Sequence, residues 1–199
     1  MKVTNDFSGM EHVQKELEKL NNQSLQIGVF GEDDSFMAMI AGVNEFGMTI
    51  HAKKKFMVIP LKKKYAKASP RSFDLFFMKT KEGHAFLCRN VGKDKVEFCY
   101  MLVKSVTIPE RSFLRSTFDE KEEEWQKFFS KQIDDLIKSA SSADSIYERL
   151  GAKAASDVQK KIKSISSPSN SPTTVASKGT NNPLINTGRL RQSVTWKVV

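Results

Sequence analysis

Histidine and cysteine are scarce in this sequence, and long apolar runs are missing from it. Three histidines and two cysteines in 199 residues give metal chemistry few ligands. His12, His51 and His84 fall in separate segments, so the paired spacing of a zinc-protease helix does not occur. No phosphate-cradling Gly-rich loop and no nucleophile elbow is present. Asp33-Asp34 reads as part of a turn, Asp134-Asp135 as a solvated helix face, and the charge run Asp119 to Glu124 likewise. No catalytic constellation emerges. The expectation is a protein that is not an enzyme and uses no cofactor and no metal. No apolar run reaches the roughly 18–20 residues of a membrane span. The polar start, Met1 to Asp6, lacks the apolar core of a secretory signal. A cytoplasmic product with no membrane partner is therefore expected.

Cys88 and Cys99 lie on either side of the turn residues Gly92-Lys93-Asp94, so a hairpin there would bring them together. Two buried thiols, a disulfide, and a zinc site borrowing His84 all fit that placement. A reducing cytoplasm favours the thiols.

What is abundant is basic charge, and it is regional. The net charge is +9 overall. Residues 1–50 carry 3 basic and 8 acidic side chains, whereas residues 51–100 carry 13 basic and 4 acidic. Residues 101–150 are slightly acidic and 151–199 are basic again. Such unevenness marks a surface rather than a general aid to solubility. The densest part is Lys53, Lys54, Lys55 and Lys62, Lys63, Lys64, interleaved with Phe56 and Tyr65. These clusters suit phosphate neutralisation, which is blind to sequence and steeply salt-dependent. They suit equally a basic rim that steers an acidic partner protein.

Along the chain, residues 7–20 read as a helix with Ser8 and Glu11 as a capping box and Val13, Leu17 and Leu20 as its apolar stripe. Leu25 to Phe30 reads as a strand. Gly31 to Asp34 reads as a turn, and Ser35 as the cap of a helix to Phe46 whose shared face is Met37, Ile40, Ala41 and Asn44. Gly47 is placed as its left-handed stop. Residues 51–106 read as an inserted small β-meander, with strands from Ser72 to Met78, His84 to Asn90 and Val96 to Val103 broken by the turns 81–83 and 92–94. From Ser112 the pattern becomes helical, with Phe118, Trp125, Phe129, Ile133 and Leu136 as the apolar stripe. A break at 139–143 and a cap at Ser142 lead into a second helix carrying Ile146, Leu150, Ala154, Val158, Ile162 and Ile165. The pair is an αα-hairpin. Gly151 inside it costs about 1 kcal/mol against alanine and is read as a point where the two helices cross closely. Residues 166–183 are rich in Ser, Thr, Asn and Pro and read as a flexible arm, with Pro172 and Gly179 as start and stop signals of a short helix. Pro183 to Asn186 is a stiff turn, and Thr187 caps a helical turn through Arg191. Val194, Trp196 and Val198 then alternate as a last strand that needs the Leu25 strand as partner. The fold class expected is α+β: a mostly antiparallel sheet, built from the Leu25 strand, the C-terminal strand and strands of 51–106 and covered by the αα-hairpin, with the core in 1–50 and 107–199 and the insertion in 51–106.

Three short motifs occur in order. They are Val43-Asn44-Glu45-Phe46-Gly47, then Ile108-Pro109-Glu110-Arg111-Ser112-Phe113-Leu114-Arg115, then Pro183-Leu184-Ile185 with Thr187-Gly188-Arg189-Leu190-Arg191 and Ser193-Val194. Together they resemble the tail-completion, or virion-morphogenesis, proteins of tailed bacteriophages, of the minor tail protein Z type. Glu110 and Ser112 depart from the small or proline residues usual there. The resemblance implies a structural virion protein of the head–tail neck, made in the bacterial host cytoplasm. It would act as a homo-oligomeric ring, expected to be hexameric, between neighbouring neck and tail-tube proteins, and would complete the tail and join it to the head. Non-specific contact with DNA in the lumen stays open under this reading. Subunit or partner contact is implied for Glu45, Phe46, Arg111, Phe113, Arg115, Thr187, Gly188, Arg189, Leu190 and Arg191. The basic 51–100 region against the acidic 1–50 region is one candidate ring contact, which charge reversal of Lys62, Lys63 and Lys64 would break. Two other classes compete: a basic nucleic-acid-binding accessory protein, and a tail-assembly chaperone absent from the mature virion.

Overall fold

The structure is a computed structural model that describes residues 8–93, 95–139 and 141–199. Expectations that rest on 1–7, on the Ser8 side chain, on Asp94 and on Ala140 lie outside the described residues. The fold is α+β, with antiparallel sheets and a long helical pair. It divides into two compact units. One holds the chain up to Ala41, Ser112–Ser164 and Gly188–Val199; the other holds Gly42–Arg111 and Ile165–Thr187. The second unit is thus wider than the expected 51–106 insertion, and it takes in the Ser-rich arm.

The first unit is assembled on one helix. It contains α1 (Ser8–Asn22), β1 (Leu25–Gly28), the start of α2 (Gly31–Phe46), α4 (Arg115–Ser139), α5 (Ala143–Ser164), α7 (Arg189–Gln192) and β8 (Thr195–Val198). Ser142 caps α5 as expected, its Oγ accepting from Ser145 N at 3.3 Å. Ile146, Val158 and Ile162 are at most 1% exposed, and burying each contributes about 2 kcal/mol. β1 and β8 pair antiparallel, with Ile27 opposite Trp196, and lie on α5. This is the pairing the terminal alternation required. The approach is close because residue 151 has no side chain. A Cβ built there would sit 2.7 Å from Trp196 Nε1 and nearer still to Cγ and Cδ1.

α4 lies along α5. Trp125 Nε1 donates to Asp157 Oδ2 at 3.1 Å, and Arg149 donates to Gln132 Oε1 at 2.8 Å. Burial works against ionisation of Asp157, but hydrogen bonds from Trp125 and Lys160 outweigh it and hold the carboxyl below its ordinary range. Leu136 is fully buried, whereas Phe118, placed by periodicity on the same stripe, is 50% exposed.

α1 uses a different face from the one its apolar residues mark. Glu16 is buried and Leu17 is 38% exposed. Glu16 Oε2 accepts from Ala143 N at 2.8 Å, satisfying an orphan donor at the start of α5. That backbone bond is the main reason its pKa is lowered. At the other end of α1, Tyr147 donates to the carbonyls of Leu20 and Gln23 at 2.8 and 3.0 Å. In α2, Asp34 rather than Ser35 is the cap. Its backbone is non-helical and its Oδ1 accepts from Met37 N at 3.0 Å.

Among the described residues the strands do not join in the one sheet expected, and those of the second unit form two sheets of their own. β2 (Met48–His51) pairs with β7 (Ser105–Ile108) as an isolated ribbon. β3 (Met57–Pro60), β4 (Phe76–Lys79), β5 (Ala85–Asn90) and β6 (Val96–Val103) form a four-stranded antiparallel sheet in the order β3-β6-β5-β4. Its core is Tyr65, Cys99 and Tyr100, backed by Phe73, Leu75 and Leu87. Tyr65 lies in the short helix α3 (Lys63–Ala66), and the Tyr100 hydroxyl donates to Ala68 O at 3.2 Å. Cys88 and Cys99 are free and fully buried. A bulge at Leu87/Cys88 sets Cys88 opposite Phe98 and leaves Cys99 out of register with it.

Gly47 has the left-handed φ of 68° expected of a helix stop, and a Cβ there would lie 2.9 Å from Glu110 N. The arm holds α6 (Pro172–Lys178), bounded as expected. Ser171 Oγ accepts from Thr174 N, Pro172 begins the helix and Gly179 ends it at φ 81°. α6 packs against α3, which draws the arm into this unit.

Candidate functional site

The two lysine clusters behave differently. Lys62 and Lys64 converge on Glu97 at 2.7 and 2.6 Å, and Arg89 Nε reaches the same carboxylate at 2.9 Å. The Tyr65 hydroxyl donates to Glu97 Oε2 at 2.7 Å. Sheet register produces part of this, since Arg89 and Glu97 are directly opposed across β5 and β6. Short helix α3 supplies the rest by delivering Lys64 and Tyr65. Hydrogen bonds from Lys62, then Lys64 and Tyr65, hold the Glu97 carboxyl far below the usual carboxylate range. Burial pushes the Tyr65 phenol up. Three cations on one carboxylate leave this patch net positive, and it is lined further by Lys95. Lys53, Lys54, Lys55 and Lys63 are exposed. Charge reversal of Lys62–Lys64 would therefore break the unit's own network. It does not test a ring contact cleanly.

The motif residues divide between packing and surface. Glu45 is 2% exposed, Arg111 6% and Phe113 0%, while Phe46 is 65% exposed and Arg115 is exposed. Arg111 N donates to Asn44 O at 2.7 Å, which ties the second motif to the first. The Arg111 side chain donates to the carbonyls of Pro168 and Ser169 at 2.7 and 3.2 Å. Lys178 likewise donates to Asn182 O and Pro183 O. Two cations of this unit are thus spent on backbone carbonyls of the arm. Burial lowers the pKa of both, and in Lys178 the nearby Arg111 charge adds to it.

In the third motif, Asn182 Oδ1 accepts from Leu184 N and Ile185 N at 3.2 and 3.1 Å, which makes the stiff turn. The N-cap position of α7 is Gly188, at φ 83°, one residue beyond the expected Thr187. Thr187 is exposed and Arg191 half-buried. Leu190 is buried. Arg189 pairs with Asp34 at 2.9 Å and so holds the cap of α2. The Asp34 carboxyl is lowered mainly by its bond from Met37 N and then by Arg189. Lys197 joins Glu32 and Asp33 and sits 4.7 Å from the Phe30 ring centroid. Arg189 of the third motif and Lys197 of the last strand therefore both fasten the C-terminal segment to the entry of α2.

Sequence reading missed Glu97 and Arg89. Their signal was weak but present: Glu97 is one of only 4 acids among 13 cations in residues 51–100. It also missed an open apolar groove of about 520 Å³ beside β1, lined by α4 and α5. Among the described residues no group of three or more His, Cys, Asp or Glu is arranged to hold a metal ion. No described helix is long and apolar enough to cross a membrane. Comparisons with protein-family models, curated proteins and solved structures gave no match.

Proposed function

We propose that this chain is a structural virion protein of a tailed phage or prophage. It forms a ring in the head–tail neck that completes the tail and prepares it to join the head. The observation that carries the reading is the ordered set of three motifs and how their residues are used. Asn44 meets Arg111, Gly47 abuts Glu110, and Arg189 holds Asp34. These contacts position backbone and strand ends, which suits a building block. On this reading the protein is not an enzyme, and its partners are copies of itself and neighbouring neck and tail-tube proteins. A structural component stays in the finished particle, whereas an assembly chaperone leaves it. Mass spectrometry of purified particles is expected to detect the chain at a few copies per virion; its absence would favour the chaperone.

A second reading, contact with nucleic acid, is favoured by the exposed Lys53, Lys54, Lys55 and Lys63. Tight binding of duplex DNA by the monomer, falling steeply with salt, would support it.

A further inference from the structure

We propose that the groove between β1 and α4 on one copy receives the β2–β7 ribbon of the next copy, so that the ring closes through one repeated contact. The inference rests on the ring reading. The groove is walled by Leu25 and Ile27 of β1 and by Phe118 and Trp125 of α4, over Leu150 and Ala154 of α5. Among the described residues β1 pairs with β8 alone. Ser24 and Val199 exchange both backbone bonds. By alternation Gln26 and Gly28 face β8, while the backbone groups of Leu25 and Ile27 point to the other edge. The groove thus offers an apolar floor beside an open strand edge, which suits a strand as its occupant.

The β2–β7 ribbon supplies the matching element. Opposed residues share a face, so Met48, Ile50, Val106 and Ile108 lie together. Met48 is 51% and Ile50 39% exposed. The other face is polar, with the Thr49 and Thr107 hydroxyls 3.0 Å apart. A two-stranded ribbon with an open apolar face is marginal by itself and gains from a third element. Both the ribbon strands and β1 are four residues long.

Charge selects a second copy as the partner. The far end of the ribbon carries Lys53, Lys54, Lys55 and Lys104, all exposed. Glu122 of α4 lines the groove itself, and Asp119 lies one turn before it on the same helix, both exposed. Arg115 lies at the other end of that wall, so the lysine end of the ribbon runs toward Glu122. Groove and ribbon are different patches, and a contact between different patches is heterologous: it makes a ring when its rotation closes.

The test uses the full chain and two surface variants, Ile50→Asp on the ribbon and Phe118→Glu in the groove, with mass measured by native mass spectrometry. The wild type is expected as a closed multimer. Each variant alone is expected as a monomer, its assembly midpoint raised about 100-fold or more. Mixed in equal amounts, the two are expected to stop at a dimer, because only one intact groove and one intact ribbon remain to meet. That dimer also shows that both variants fold. Rings formed by either variant alone would overturn the contact and leave the ring reading standing. A mixture that gives no dimer, although both variants melt like the wild type, would overturn it too. A wild type that is monomeric at every concentration would overturn both.

Discussion

Gly151→Ala is expected to destabilise the protein by about 3 kcal/mol, even though alanine is the better helix former. Helix propensity alone favours the substitution by about 1 kcal/mol. Against this stands the indole of Trp196, whose Nε1 would lie 2.7 Å from the new Cβ, with Cγ and Cδ1 closer. Cγ is the root of the ring, not the tip of a flexible chain, so rotating the side chain cannot relieve the clash cheaply. β8 must lift from α5, and its pairing with β1 weakens with it. Overpacking of this kind costs roughly 1–3 kcal/mol, and loss of the indole's cover adds to it. A loss of that size lowers the melting temperature of a chain this long by about 6–12 °C. Thermal unfolding of Gly151→Ala, Trp196→Leu and the double variant checks the argument. The double variant is expected to recover at least about 1 kcal/mol of the loss, since the two residues touch. A stabilising Gly151→Ala would mean that the last strand does not lie on α5 at that point.

Glu97→Gln is expected to destabilise the second unit by about 2 kcal/mol near neutral pH. The carboxylate is 9% exposed and receives Lys62, Lys64, Arg89 and Tyr65. Glutamine keeps the shape but removes the charge, so three cations are left to repel one another. The lysines are about half exposed, and water screens their part of the loss. The bond from Tyr65 and the one from Arg89 are the less solvated and weigh more. The pH dependence follows from the depressed carboxyl pKa. Its contribution is complete above the unfolded value of about 4.3 and is lost as pH falls below that toward the folded value. Wild-type stability should therefore drop in acid. The gap between wild type and Glu97→Gln should be widest near pH 7 and should narrow below about pH 4. Urea unfolding across pH 3–7 measures this; a constant gap would contradict the role assigned to Glu97.

Much of the first unit could be read from its residues. Val194, Trp196 and Val198 alternate, and the nearest strand of like pattern is Leu25 to Phe30; the two pair, with Ile27 against Trp196. The cap at Ser142 and the spacing of Ile146, Val158 and Ile162 defined α5 because local chemistry sets a helix start and a stripe. Gly151 was legible as a close approach, but it was read as a crossing of the two helices, whereas it is Trp196 of the last strand that lies against it. The failures share a cause. Periodicity marks which face of a helix is apolar and is blind to what the other faces meet. Glu16 is buried because it satisfies Ala143 N, 127 residues away, and Leu17 is turned out as a result. Phe118 fits the stripe of α4, yet it stands at the lip of a groove.

Strand partners are non-local in the same way. Four-residue strands carry too little pattern to choose between one sheet and several, and the strands of residues 48–108 divided into a ribbon and a four-stranded sheet. Lys62 and Lys64 looked like a free basic surface because their carboxylate is about 35 residues on. Arg111 looked like a partner contact. Its guanidinium meets carbonyls of the arm 57 and 58 residues away. Contacts at such range leave no mark in local spacing.

The role proposed for the chain is to build the joint between head and tail. Electron microscopy of a lysate from the encoding phage or prophage with this gene inactivated tests it most directly. DNA-filled heads beside unattached tails, complete or of irregular length, are expected, with normal particles restored when the chain is supplied from a plasmid. Normal, infectious particles without the chain, or empty heads alone, would contradict it.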